Sequence, residues 1–210
     1  MVPDRPAHRP GRLVMADLEF VPGSEYEEVT WDRYDFTSAD LAGGSFESCT
    51  FNGCDFSGVR LTSTRFEDCR FSDCNLSNTV VDHTRFDGVA FEGCKLVGLN
   101  FGSADPLTFG LSLTQCVLKY VNFSQLRWKK AVVTDCDAHD SDFRGAQLAG
   151  ANFRKTRFRS CRFSGADLQK ADFSHAEGYD LDLRTENLKK AIFSLPEALN
   201  LLAPFDLEIR

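Results

Sequence analysis

Eight cysteines, four histidines and 31 acidic residues are the side chains that could do chemistry in this 210-residue chain. So many thiols first suggest soft-metal ligation or disulfide exchange, because the thiolate is both ligand and nucleophile. Their spacing argues otherwise. Cys49, Cys54, Cys69, Cys74 and Cys94 are separated by multiples of five, as are Cys116, Cys136 and Cys161, and none forms a CxxC pair. Free, buried thiols acting as small hydrophobes fit that pattern better than zinc or a redox centre. His83, His139 and His175 fall on separate segments and His8 lies near the N-terminus, so the imidazoles do not converge. Glycine-rich phosphate loops, HExxH and GxSxG are absent, and the carboxylates are spread along the chain. A binding module or scaffold is expected, not an enzyme, and no cofactor or metal is implied.

The elements that hold these side chains follow a period of five. Every fifth residue from Trp31 through Phe36, Leu41 and Phe46 to Phe101 is apolar. The pattern resumes two residues out of phase at Leu113 and continues through Phe123, Phe143 and Phe163 to Phe193, with Gly178, Leu183 and Leu188 in the same frame. These two frames hold sixteen of the 19 Phe. Two residues before each centre the chain is mostly small, and every cysteine occupies that place. Neither the helical nor the strand period describes this. A unit with one large apolar, one small inward and three polar residues buries its apolar side only by stacking on copies of itself, which makes a solenoid.

The units Ala39-Asp40-Leu41, Ala151-Asn152-Phe153, Ala166-Asp167-Leu168 and Ala171-Asp172-Phe173 resemble the A(D/N)Lxx motif of the pentapeptide-repeat family, over residues 26–193. The resemblance implies an all-β, right-handed quadrilateral β-helix with four pentapeptides to a coil. Residues twenty apart would then stack at ~4.8 Å, and roughly eight coils would give a rod of ~38 Å with a filled interior.

Three regions depart from the repeat. Residues 1–16, rich in Pro and Arg, read as a disordered tail ahead of a β-helix over 17–193. Between Phe101 and Leu113 the phase break at 102–112 holds two extra residues, either a corner with Phe109 over the core or a small contact loop using Asp105, Pro106 and Phe109. In 194–210, a short helix with Pro196 in its first turn puts Leu195, Leu199 and Leu202 on one face, and Phe205, Leu207 and Ile209 alternate as a strand. A solenoid end must be covered. An intramolecular cap would do so. The family's topoisomerase-protecting Qnr-type members end similarly and dimerise there, so the resemblance implies a homodimer through Phe193, Leu195, Leu199, Leu202, Phe205, Leu207 and Ile209.

Charge completes the expectation. Residues 1–105 carry 18 acids and 9 bases, and the whole chain has a net charge of −7. Glu27, Glu47, Glu67 and Asp87 lie twenty apart and form one carboxylate ladder, with Asp68 beside it. Its ~4.8 Å pitch compares with the ~3.4 Å between phosphates along a DNA strand. Arg65 and Arg85 dilute it, and Arg154, Lys155, Arg157, Arg159 and Arg162 form a basic cluster further on. Direct nucleic-acid binding is not expected from an acidic surface. No apolar run spans a membrane, and Met1–Arg12 lacks a signal-peptide core, so a cytoplasmic location is the default. The resemblance implies a DNA mimic that binds a type II topoisomerase, DNA gyrase or topoisomerase IV, and modulates it or protects it from inhibitors. A rigid scaffold for an unrelated protein is the other reading.

Overall fold

The computed structural model describes residues 7–8, 20–107 and 109–205. Each pentapeptide contributes one short wall and one corner. Asp or Asn before a centre commonly accepts a hydrogen bond from the N–H two residues on, as Asp55 does from Ser57 (2.8 Å) and Asn122 from Ser124 (2.9 Å). That local turn explains the D/N of the motif. The second residue after the centre turns the corner with positive φ, between 50° and 58° at Glu28, Arg33, Asp68, Asn78, Lys130 and Lys155. A non-glycine residue pays about 1–2 kcal/mol for this conformation. The cost is offset because the corner N–H is bonded to the next coil, as from Lys130 to the Ala149 carbonyl at 2.9 Å.

Coils stack as parallel ladders in register. Tyr26, Phe46, Phe66 and Phe86 pair along the first wall, and Trp31, Phe51, Phe71 and Phe91 along the second. Across the break the step becomes twenty-two, Phe91 to Leu113 and Leu96 to Leu118, and then returns to twenty. The centres form stacked columns: Phe36 on Phe56 at 4.3 Å, Phe51 on Phe71 at 4.5 Å and Phe71 on Phe91 at 4.8 Å. Adjacent columns meet edge to face, as Phe51 does Phe56 at 5.3 Å. Both arrangements suit aromatic quadrupoles.

The small slot has its own chemistry. Thr64, Thr79 and Thr156 donate their hydroxyls, at 2.7–2.8 Å, to the carbonyl of the centre twenty-three residues earlier. Cysteine does the same less strongly, Cys74 reaching the Phe51 carbonyl at 3.2 Å. Ala, Cys, Ser and Thr all occur there because the slot is narrow, and a hydroxyl or thiol in it donates to a carbonyl and can accept a backbone N–H, as Ser141 does from Val121 at 3.2 Å.

The departures are where expectation and structure part. At the phase break the register slips between Phe109, opposite Phe86, and Leu111, opposite Val89. Phe109 turns inward and packs edge-on against Phe101 (5.8 Å) and Trp128 (5.6 Å), so it belongs to the core and not to a contact loop. Asp105 is held by Arg85 at 2.9 Å, and Leu107, 91% exposed, is the side chain that projects. The last coil slips too. A Cβ on Gly178 (φ +67°) would stand 2.3 Å from the Phe158 carbonyl oxygen, so no side chain fits, and Tyr179 enters the core instead. Leu183 is therefore not a centre: it sits exposed on a turn that Asp182 closes onto Arg184, while Leu181 is buried.

At the C-terminal end a 3₁₀-helix covers Glu197–Phe205, with Pro196 ahead of it and not in its first turn. Phe205 belongs to this helix and not to a strand; Leu207 and Ile209 lie outside the described residues. At the other end, the stretch expected to be a tail holds a two-residue strand, Ala7–His8, paired in parallel with Glu25–Tyr26.

Candidate functional site

The described interior is filled with packed side chains. All eight cysteines are free and buried. Cys54, Cys74, Cys94, Cys116 and Cys136 form one continuous column, because Cys116 follows Cys94 across the phase break: the Val117 N–H bonds the Cys94 carbonyl and the Asp137 N–H that of Cys116. Within it Cys94 and Cys136 are pushed up, first by the neighbouring thiol and then by burial, while Cys74 and Cys116 are lowered by the thiols that donate to them. Cys161, outside that column, is raised to about 11 by burial. Inaccessible thiols of this kind are packing groups. Among the described residues no cluster of three or more His, Cys, Asp or Glu could hold a metal ion. An open surface depression of about 630 Å³ is lined by Asp32, Arg33, Asn52, Gly53 and Asp73, which include no serine, cysteine or histidine nucleophile. Among the described residues no helix is long and apolar enough to cross a membrane.

The outer walls carry the charge. Strand register places Glu27 beside Glu47, Glu47 beside Glu67 and Glu67 beside Asp87, one carboxylate per coil on the first wall. Like charges stacked in a sheet oppose one another. Only Glu67 is relieved: Arg65 holds it, whereas among the described residues Glu27, Glu47 and Asp87 form no ion pair. Asp68 occupies the neighbouring corner, where its carboxylate lies over Gly88.

The basic cluster is largely neutralised. Arg154 pairs with Asp172 (3.8 Å), Lys155 with Asp135 (3.8 Å), Arg157 with Glu177 (3.3 Å) and Arg162 with Asp142 (4.0 Å). Surface pairs of this kind contribute little stability but weaken the cluster's field; Arg159 forms no ion pair among the described residues, and Asp142 is shared with Arg144 at 2.6 Å. Further unneutralised cations lie elsewhere. Arg127, Lys129, Lys130, Lys170, Lys189 and Lys190 are exposed, form no ion pair among the described residues, and continue the first wall beyond the break. Sequence spacing hides this continuity, since the two-residue slip breaks the count of twenties between Asp87 and Lys129.

The third surface is the C-terminal end. Leu195 (76%), Leu199 (40%) and Phe205 (45%) are exposed, joined by Ile192 (53%). Leu202 is half-buried, and Phe193 is half-buried and stacked on Phe173 at 5.2 Å as the last ring of its column. Of the residues expected at a dimer interface, those described do gather at this end.

A stack of five-residue units with filled columns defines a β-solenoid. Two family models match it: a pentapeptide repeat region at residues 44–109, and pentapeptide repeats in eight copies at 141–177 and 156–194. Together they span more than half of the chain, which belongs to the pentapeptide-repeat family. No curated protein matches the sequence. Among solved structures, it is similar to full-length QnrB1, a plasmid-mediated fluoroquinolone resistance protein, at 21% identity over 88% of this chain and 100% of that one, TM-score 0.48. It is also similar to HetL, a pentapeptide-repeat protein involved in heterocyst differentiation regulation from a Nostoc cyanobacterium. That match has 17% identity over 83% and 85% of the two chains, TM-score 0.49.

Proposed function

We propose that the protein is a non-catalytic binding rod whose acidic half-wall occupies a basic groove that its partner otherwise uses for duplex DNA, with DNA gyrase and topoisomerase IV as the partner class. The observation that carries this is the register-locked ladder Glu27, Glu47, Glu67 and Asp87, a fixed row of negative charge at ~4.8 Å pitch on a rigid wall. Preorganised charge of one sign steers association and loses effect as salt rises. The test is a gyrase supercoiling titration with purified protein at two salt concentrations, with and without a quinolone. Wild type is expected to inhibit or protect at low salt. Glu47→Lys/Glu67→Lys is expected to weaken that effect about tenfold or more, since it turns attraction into repulsion at the groove. An unchanged effect in this variant would exclude mimicry by the ladder. The lysines at 129, 130, 170, 189 and 190 favour a second reading, a scaffold for an unrelated protein, because a uniform DNA mimic has no use for them.

The same proposal includes an end-to-end homodimer through the exposed apolar C-terminal surface. It is supported by the solvent exposure of Leu195, Leu199 and Phe205 at an end that a solenoid must cover. Light scattering at physiological salt is expected to give a dimer mass for wild type and a monomer mass for Leu195→Asp/Leu199→Asp. A monomeric wild type would leave the helix as a cap.

A further inference from the structure

We propose that the first wall is self-complementary, and that a second copy of this chain docks on it antiparallel. Inside the Ala7–His8 strand at its edge, the wall's rows run from Tyr26 through Phe109 to Leu188. The four rows before Phe109 carry seven carboxylates, at 25, 27, 28, 47, 67, 68 and 87, against Arg65 and Arg85, a net charge of −5. The four after it carry Arg127, Lys129, Lys130, Lys170, Lys189 and Lys190 against Asp167, a net charge of +5. Gly110 flanks Phe109 in the row between them. The wall is thus two oppositely charged halves about a middle row in which Asp105 is paired with Arg85 at 2.9 Å.

A two-fold axis through the Phe109 row matches them. It sets the Tyr26 row, with Glu25, Glu27 and Glu28, over the Leu188 row with Lys189 and Lys190. Glu67 and Asp68 come within one ~4.8 Å step of the row bearing Lys129 and Lys130. Each half meets its complement twice, so the contact is isologous and closes at two copies. Leu107, 91% exposed on the segment entering the middle row, supplies an apolar side chain beside the axis. The wall is about 38 Å long and about 10 Å wide, some 400 Å² per copy, by the strand dimensions. That is about half of a standard interface, so the association is weak and electrostatic.

The docking does not rest on a topoisomerase partner. It covers the same carboxylates, so the two engagements exclude one another. Salt gives it a distinctive sign. Two molecules of net charge −7 repel as monopoles, and lowering salt strengthens that repulsion. Association that grows at low salt therefore reports opposed halves and not net charge.

The experiment is sedimentation of the full chain in the Leu195→Asp/Leu199→Asp background, which silences the C-terminal end, at about 50 and 300 mM salt. Self-association is expected at low salt, weakening about tenfold at the higher concentration. Glu47→Lys/Glu67→Lys and Lys130→Glu/Lys170→Glu/Lys190→Glu, each added alone, are expected to abolish it, and mixing the two variants is expected to restore a heterodimer. That recovery cannot come from misfolded chains. Salt-independent association, persistence in either variant, no recovery on mixing, or duplex DNA retained by the lysine half without self-association would each overturn the proposal.

Discussion

Phe71→Ala is expected to lower the unfolding free energy by about 3–5 kcal/mol, read as a drop in the midpoint of thermal or denaturant unfolding. Phe71 is fully buried, stacked between Phe51 (4.5 Å) and Phe91 (4.8 Å) and met edge-on by Phe56 (5.6 Å) and Phe66 (5.4 Å). Truncation removes a ring from the middle of a column, and the hydrogen-bonded coils on either side fix the spacing, so the cavity cannot collapse. The cost should approach the upper end of the range for large-to-small core changes. Phe193→Ala should cost much less, because Phe193 is half-buried and stacked on one side only, on Phe173 at 5.2 Å, with Tyr179 tilted against it at 5.5 Å. In a solenoid, stability is a sum over repeats and their interfaces, and an end repeat has one interface where a middle repeat has two. Equal losses at the two positions would contradict a nearest-neighbour rod.

The repeat was legible because it is redundant: one residue type in five must be large and apolar, and one must be small, for every coil to stack. Tyr26 to Phe173 therefore fall inward as the spacing predicts, and all eight cysteines lie in the slot. Legibility stops where one side chain overrides the period. Gly178 leaves a hole that Tyr179 fills, and counting by fives then places Leu183 inside when it is outside. Phe109, an apolar residue in an inserted segment, could lie in or out by sequence, and the gap above Phe86 and beside Phe101 decides it. The acidic ladder was readable because its members lie twenty apart within one frame. Its continuation into lysines was not, since joining the frames needs the register across the break, Phe91 to Leu113. Ion pairing was equally hidden: the spacing exposes Arg154, Lys155, Arg157 and Arg162 as a cluster but not the carboxylates one coil away that neutralise them.

Cys74→Asp and Cys74→Thr are expected to part widely, although both replace a small residue by a small polar one. The Cys74 side chain is buried and faces two acceptors, the carbonyls of Phe51 at 3.2 Å and Ser72 at 3.3 Å. Threonine brings a donor, and Thr79 already makes the equivalent bond to the Phe56 carbonyl at 2.8 Å. Cys74→Thr should therefore stay within about 1 kcal/mol of wild type. Aspartate brings a charge and two more acceptors, against which the slot offers only the weak Cys54 and Cys94 thiol donors and the Cys54 N–H. Burying a charge so poorly compensated should cost more than about 3 kcal/mol at neutral pH. The carboxyl meets that cost by holding its proton, so its folded pKa rises above the unfolded value near 3.9. A raised folded pKa gives stability that is present below the unfolded value and lost as pH climbs through the folded one. The Asp variant, relative to wild type at each pH, should accordingly recover toward pH 3, where the protonated acid can donate to the Phe51 carbonyl as a threonine does. Chemical denaturation of the three proteins from pH 3 to 8 checks this: a Cys74→Asp deficit that does not shrink on acidification would mean that the slot opens to water and does not bury what it holds.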